Sequence, residues 1–428
     1  MKRYIYKQLL AWKNEKEHKP LILNGARQVG KTYILREFGR NEYKRMAFFS
    51  LDRDQKALEI FNKGGRATDM LMALSAICHE DITPHDTLVV LDEIQNCPKA
   101  LEALKFFCEE TPEIDIVVAG SLLGLSIHSG MSYPVGKVEE LHLYPMTFLE
   151  FLEAMGKTQL VNLLENKNWT VINMLETELI SSLRQYYYVG GMPAAVLAHI
   201  EKKGWKEVRR IQQQIITDYR RDFSKHAPTR EIPRINMVWD SIPAQLAKEN
   251  KKFVYGAVKK SARAADFEMA IQWLIDAGLA YKVPRVNAPR LPLKFYEDIS
   301  AFKLFMLDVG LMGAMAETTA ESVVVGDNIF SEYKGAFTEL YVFTQLKALG
   351  YSLYYHAVDN STIEIDFLTQ RDNQVIPIEV KAEVNVKAKS LRTFISNNPE
   401  LKGIRFSMLP YKEQDWMTNI PLYACMAW

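Results

Sequence analysis

Gly25-Ala26-Arg27-Gln28-Val29-Gly30-Lys31-Thr32 satisfies the spacing G-x-x-x-x-G-K-[ST] at every fixed position. The apolar residues Leu21-Ile22-Leu23 precede it and a helix-compatible run over residues 33–38 follows. The order is strand, loop, helix. Glycine at each end lets the backbone curl around an anion with no Cβ in the way, so that successive N–H groups point inward. The lysine reaches the β- and γ-phosphates, and the hydroxyl beside it ligates magnesium at the positive end of the new helix. Gly25, Ala26, Arg27, Gln28, Val29, Gly30, Lys31 and Thr32 are therefore the expected cradle of a nucleoside triphosphate.

Thr87-Leu88-Val89-Val90-Leu91-Asp92-Glu93 is a continuous apolar run ending in two acids. Such a run reads as a buried parallel strand that delivers carboxylates to one edge of a sheet. Neighbouring side chains on a strand point to opposite faces, so the two acids are expected to divide the work. Asp92 suits the magnesium shell, and Glu93 suits the water that attacks the γ-phosphate. Two more strands fit the same sheet, over residues 45–51 and 115–119. The second ends at Gly120-Ser121, which makes Ser121 the expected sensor of the γ-phosphate. Strands alternating with helices over the first 145 residues predict an α/β fold built on a parallel sheet.

The residues 23–32, then Leu91-Asp92-Glu93-Ile94-Gln95, then Ala119-Gly120-Ser121 resemble an AAA-type P-loop ATPase core found in many bacteria and archaea. Leu143-Tyr144-Pro145-Met146-Thr147-Phe148-Leu149-Glu150-Phe151 and Tyr188-Val189-Gly190-Gly191-Met192-Pro193 extend the match. From Phe302-Lys303-Leu304-Phe305-Met306-Leu307-Asp308-Val309-Gly310 onward the chain is similar to the nuclease-like domain of unknown function usually fused to that core. The resemblance covers nearly the whole chain. It implies ATP and Mg2+ as ligands and ATP hydrolysis as the activity. It also implies an arginine supplied by a neighbouring subunit, and hence a homo-oligomer; Arg184, Arg209, Arg220 and Arg221 lie in or near the lid. One departure stands out. Gly136-Lys137 replaces a common Gly-Arg, and lysine offers a point charge where arginine offers a fork.

At 428 residues the chain exceeds what one hydrophobic core serves. Four parts are expected: the ATPase core over 1–145, a helical lid over 146–230, a winged-helix-like module over 231–290 and the nuclease-like domain over 291–428. Lys and Arg number 53 against 52 Asp and Glu, so contact with nucleic acid would have to come from a local patch. Cys78, Cys97, Cys108 and Cys425 are scattered without a C-x-x-C pair, which argues against zinc and disulfides and suits a reducing compartment. No stretch reads as a signal peptide or membrane span, so a cytoplasmic location without a membrane partner is expected.

Within the later parts, Thr147 is placed to cap a helix starting at Phe148, and Gly190-Gly191 reads as a tight turn between helices. Residues 235–248 and 264–277 read as helices, the first kinked or restarted at Pro243 and the second ended by Gly278. A strand over 279–283 follows, as a wing would. Lys259, Lys260 and Arg263 could meet DNA phosphates there, although charge runs more often belong to the solvated face of a packing module.

Residues 362–368 alternate as a strand, and residues 375–381 read as its hairpin partner. Asp366 and Glu379-x-Lys381 resemble the PD-(D/E)XK nuclease core, with Glu339 as the upstream acid. Period two puts Glu379 and Lys381 on one face. In that resemblance Asp366 and Glu379 hold magnesium while Lys381 orients water or offsets charge. Three readings follow, in order: an ATPase of unsettled cellular role, an ATP-dependent nuclease acting on DNA or RNA, and a nucleotide-switched DNA-binding regulator.

Overall fold

The computed structural model describes the chain except for residues 122–132, 249–250, 327, 359–362 and 383–388. Side chains are also left undescribed at 326 and 328–333. Thr362, the expected start of the alternating strand, lies outside the described residues. The chain forms two compact units: Lys2–Tyr144 with Asp276–Gly278, and Pro145–Ile275 with Leu279–Trp428.

The first unit is built on β1 (Leu21–Asn24), β2 (Arg45–Ser50), β3 (Thr87–Asp92), β4 (Asp115–Ala119) and β5 (Glu139–His142). Their order in the sheet is β2-β3-β4-β1-β5, and every pairing is parallel. Helices α1 (Ile5–Asn14), α2 (Lys31–Glu42), α3 (Gln55–Lys63), α4 (Ala67–Cys78) and α5 (Pro98–Glu110) accompany the sheet. One core joins Ile22, Phe49, Val89, Leu91, Ile116 and Val118 of the strands to Phe61, Leu74, Leu104 and Phe107 of α3, α4 and α5. All six residues of β3 and all five of β4 are buried, as expected of strands covered on both faces.

The second unit begins with helices α6 (Phe148–Ala154), α7 (Thr158–Glu165), α8 (Trp169–Met174), α9 (Glu176–Val189), α10 (Pro193–Ile200) and α11 (Trp205–His226). Thr147 caps α6 through a reciprocal box: its hydroxyl accepts from the Glu150 amide, and the Glu150 carboxylate accepts from the Thr147 amide at 2.8 Å. Then come α12 (Ile232–Leu246), α13 (Tyr255–Val258), α14 (Ala264–Asp276), β6 (Ala280–Val286) and β7 (Glu297–Met306). Helix α12 runs on through Pro243 rather than restarting there. β6 and β7 are an antiparallel pair with Ala280 opposite Met306, so the expected boundary at 290 falls inside one hairpin. Pro289 and Pro292 sit in the connection between these two paired strands.

After α15 (Val309–Met315) and α16 (Asn328–Ala348), the remaining elements are β8 (Tyr354–Ala357), β9 (Glu364–Arg371), β10 (Gln374–Val380), α17 (Lys389–Asn397), β11 (Gly403–Ser407), β12 (Lys412–Glu413) and β13 (Met417–Pro421). The eight-stranded mixed sheet has the order β12-β13-β11-β10-β9-β8-β6-β7. β9 and β10 pair antiparallel around Asp372-Asn373, both of which have positive φ, as a two-residue primed hairpin turn requires.

Gly190-Gly191 turns out to be the centre of a buried hub. The Gly191 carbonyl accepts from the Met146 amide at 2.7 Å, and Tyr186 donates its hydroxyl to the Met146 carbonyl at 2.6 Å. The Gly191 amide donates to Asp308 Oδ2 at 2.6 Å, while Gln212 donates to the carbonyls of Tyr188 and Val189. A Cβ on Gly191 would lie 2.1 Å from the Met146 oxygen. Gly191→Ala should therefore lower the stability of the second unit by about 2–3 kcal/mol. Gly256→Ala, at a position where a Cβ meets nothing within 4 Å, should stay within about 0.5 kcal/mol. Urea midpoints compare the two, and equal midpoints would remove the hub's steric argument.

Asp308 is almost fully buried, and burial pushes its carboxyl up to about 6 against the amide donors Gly191, Leu311 and Gly310. An unfolded aspartate titrates near 4, so between about 4 and 6 the folded state binds more protons. Stability from this group is thus complete at low pH and lost as pH rises through 6. The parent should fall by roughly 2–3 kcal/mol relative to Asp308→Asn on going from pH 4 to pH 7. Unfolding curves with parallel pH dependence in the two proteins would refute this.

Candidate functional site

Three neighbouring strands converge at one sheet edge. Ala119 of β4 lies opposite Leu23 of β1 on one side and Asp92 of β3 on the other. The loop after β1, the acids at the end of β3 and Ser121 after β4 are therefore brought together by register alone. Gly25 has φ +146°, and a Cβ there would lie 2.3 Å from the Leu143 carbonyl, so only glycine fits beneath the segment leaving β5. Gly30, at φ +99°, caps α2 in the left-handed region, and Gln28 is also left-handed at +67°.

Lys31 is buried, and its ammonium donates to the Gly25 and Ala26 carbonyls at 2.7 and 2.8 Å. Burial pulls it down to about 8, with Glu93 and Asp92 acting against that pull and Arg27 with it. Thr32 donates its hydroxyl to Asp92 Oδ2 at 2.7 Å. Burial raises the Asp92 carboxyl above the usual carboxylate range, while the Thr32 bond partly offsets this. Ser121 is buried, and the residues following it lie outside the described part of the chain.

Glu93 is half-buried, and alternation is not what separates it from Asp92. β3 ends at Asp92, and Glu93 adopts φ 56°, ψ 45° before a short turn of helix over Ile94–Asn96. That left-handed residue re-aims the second carboxylate. Its amide donates to Asp92 Oδ1 at 3.1 Å, and Gln95 donates to its Oε2. A left-handed glutamate costs energy, which the surrounding structure must hold in place.

Sequence reasoning missed Arg3. Its guanidinium is buried and donates to the Val29 carbonyl at 2.8 Å and to the Tyr144 carbonyl at 2.6 Å, clasping the phosphate loop to the end of β5. A basic residue two places after the first methionine carries no signal of burial. Lys137, in place of the common arginine, pairs with Glu109 at 2.9 Å on the surface.

Among the four lid arginines, Arg209 is committed within the second unit. It donates to the carbonyls of Gly310 and Thr318 and lies over the Tyr188 ring. Arg184 donates to the Val325 carbonyl. Arg220 and Arg221 are exposed, pair with Asp240 and Asp218, and line an open pocket of about 420 Å³ with Thr217, Ser224 and Lys225.

The second constellation assembles on β9, β10 and α16. Asp366 Oδ2 accepts from the Val380 amide at 2.7 Å, and Lys381 pairs with Glu379 at 3.2 Å. Glu379 is buried, and among the described residues its Oε2 has no hydrogen-bond partner. Glu339, on α16, is held by two ammonium groups, Lys251 and Lys303, the latter at 3.0 Å. Lys303, fully buried on β7, also reaches Glu364 at 2.8 Å. Burial would raise Glu339, but the two lysines outweigh it and hold its carboxyl below its ordinary value. Burial and the Glu339 charge raise Asp366, and burial raises Glu379. Among the described residues no group of three His, Cys, Asp or Glu side chains is arranged to hold a metal ion. None of the described helices is long and apolar enough to cross a membrane.

Residues 17–152 match the family described as AAA domain. Residues 180–322 and 334–424 each match a domain of unknown function, DUF8612 and DUF4143. No curated protein matches the chain. Similar solved structures include the Drosophila origin recognition complex bound to DNA, at 14% identity over 73% of this chain and 94% of that one, with a TM-score of 0.26. RuvB of Thermotoga maritima is 14% identical over 68% and 89%, at 0.30. Protein VC1899 of Vibrio cholerae is 11% identical over 95% of each chain, at 0.19. Likenesses this slight place no residue. The N-terminal part of the chain thus combines the phosphate-loop spacing and a parallel five-stranded sheet with a match to the AAA domain over residues 17–152.

Proposed function

We propose that this chain hydrolyses ATP with Mg2+ at the edge formed by β1, β3 and β4. The observation that carries this reading is the Thr32–Asp92 bond at 2.7 Å beside the buried Lys31 and the re-aimed Glu93. The donor set fits the ligand. A lysine whose charge is disfavoured by burial, resting on loop carbonyls, has an unmet demand for an anion, and a hydroxyl beside a carboxylate offers oxygens to a hard cation. Loop amides from residues 25–32 bind the phosphates, and Lys31 turns its ammonium to them. Thr32 and Asp92 hold the metal, which when bound offsets charge on the phosphate oxygens. Glu93 orients the attacking water, and Ser121 reads the γ-phosphate. Phosphate release from ATP by the purified chain, with magnesium and with EDTA in its place, tests the proposal. Equal background in both would sink it.

We read residues 232–306 as winged-helix-like, supported by the order α12, α13, α14 and the β6–β7 hairpin. Lys259, Lys260 and Arg263 are exposed, but α14 exposes Asp266 and Glu268, which repel phosphate. A packing role suits this helix better than a DNA groove. Residues 334–424 have a nuclease-like order: α16, the antiparallel β8-β9-β10, α17, then β11 parallel to β10. Exposed Arg220 and Arg221 are the arginines open to a neighbouring subunit. Light scattering showing one unchanging monomer mass with and without ATP would count against such a homo-oligomer.

A further inference from the structure

The motif Phe302–Gly310 carried part of the family resemblance, yet the ATPase site uses none of it. Two of its residues are buried charges. Asp308 pins the Gly190-Gly191 hub. Lys303 lies in the acid constellation of β9, β10 and α16, fully buried, with its ammonium 3.0 Å from Glu339 and 2.8 Å from Glu364. Lys251 closes on the second oxygen of Glu339.

We propose that Lys303 takes the place of the divalent cation in the nuclease-like domain, so that this acid cluster binds no catalytic metal and the domain does not cleave nucleic acid. A metal shared by Glu339, Asp366 and Glu379 needs their oxygens free of other cations. Here both oxygens of Glu339 are spent on ammonium groups. One oxygen of Asp366 accepts a backbone amide, and one oxygen of Glu379 is paired with Lys381. Lys303 is on a strand and buried on every side, so it cannot swing out to solvent as a surface lysine would. A second positive charge brought beside it would be repelled, and the low-dielectric surroundings of a fully buried ammonium screen that repulsion poorly. The lysine neutralises the cluster permanently, where a metal would come and go. The inference rests on the nuclease-like reading above only for the expectation of a metal.

Manganese titration of the full chain without nucleotide, followed by the electron paramagnetic resonance of the free ion, tests this independently of ATP turnover. Parent and Asp366→Asn should bind manganese identically. Lys303→Met should gain one site, tighter than any in the parent by roughly tenfold or more, and Asp366→Asn in the same chain should abolish it. Where Lys303→Met does not fold, Lys251→Met, at a less buried position, should show the same gain to a smaller degree. A manganese site in the parent that disappears in Asp366→Asn would overturn the proposal. So would folded lysine variants that bind no more manganese than the parent, or magnesium-dependent cleavage of DNA or RNA by the parent that Asp366→Asn lacks.

Discussion

The Lys31→Ala chain is expected to bind ATP roughly 10²- to 10³-fold more weakly than the parent. In the free protein the ammonium is buried and rests on two loop carbonyls, and burial has drawn it down to about 8. Near pH 7 it is still charged. That charge carries a burial cost in the free chain, which a polyanionic ligand offsets. Removing it should therefore weaken nucleotide binding far more than it weakens the fold. The sign follows from linkage: a lysine depressed in the folded state adds stability as pH rises from about 8 towards its unfolded value, and none below. Calorimetric titration with ATP and magnesium at fixed salt, beside a thermal unfolding curve, separates the two effects. Unchanged affinity would remove Lys31 from the site. A collapsed unfolding midpoint would make its role structural.

Glu93→Gln should leave ATP binding within a few-fold of the parent while turnover falls by roughly 10²- to 10⁴-fold, the range expected for a positioned general base. Glutamine keeps the shape and the contact with Gln95 but cannot accept the proton of an attacking water. The left-handed backbone at Glu93 adds a control. Glu93→Gly, which relieves the conformational cost, should be no less stable than Glu93→Gln and equally slow. Turnover by Glu93→Gln at the parent's rate, measured as phosphate release at saturating ATP, would show that another group handles the water.

Much of the first unit was legible because its signals are local. The phosphate loop and the apolar strands each declare themselves within a dozen residues, and in the second unit so does the hairpin turn at Asp372-Asn373. What escaped depends on partners far along the chain. Gly190-Gly191 read as an ordinary turn because Met146 and Asp308, which make glycine necessary there, are distant in sequence. Arg3 went unnoticed because nothing near it announces the Val29 and Tyr144 carbonyls. Glu93 read as the next residue of a strand, since a single left-handed step leaves no mark in residue type. The spacing around Asp366, Glu379 and Lys381 suggested a metal site because the strand holding Lys303 lies some 60 residues upstream and looks like any apolar strand with one charge. Pattern finds the acids, but only packing shows which cation they meet.

The charge cluster also bears on how this chain can be cut. Lys251 and Lys303 lie within the stretch matched by one domain of unknown function, and Glu339 and Glu364 within the stretch matched by the other. A fragment starting at residue 334 would keep buried carboxylates without their lysines, and one ending at 322 would keep a buried ammonium without its acids. Stranding one partner of such a pair costs about 3–5 kcal/mol, much of a typical domain's total stability. The two family names therefore describe halves of one inheritable object. A gene rearrangement, or a cloning boundary, that separates them should yield two insoluble pieces rather than two domains.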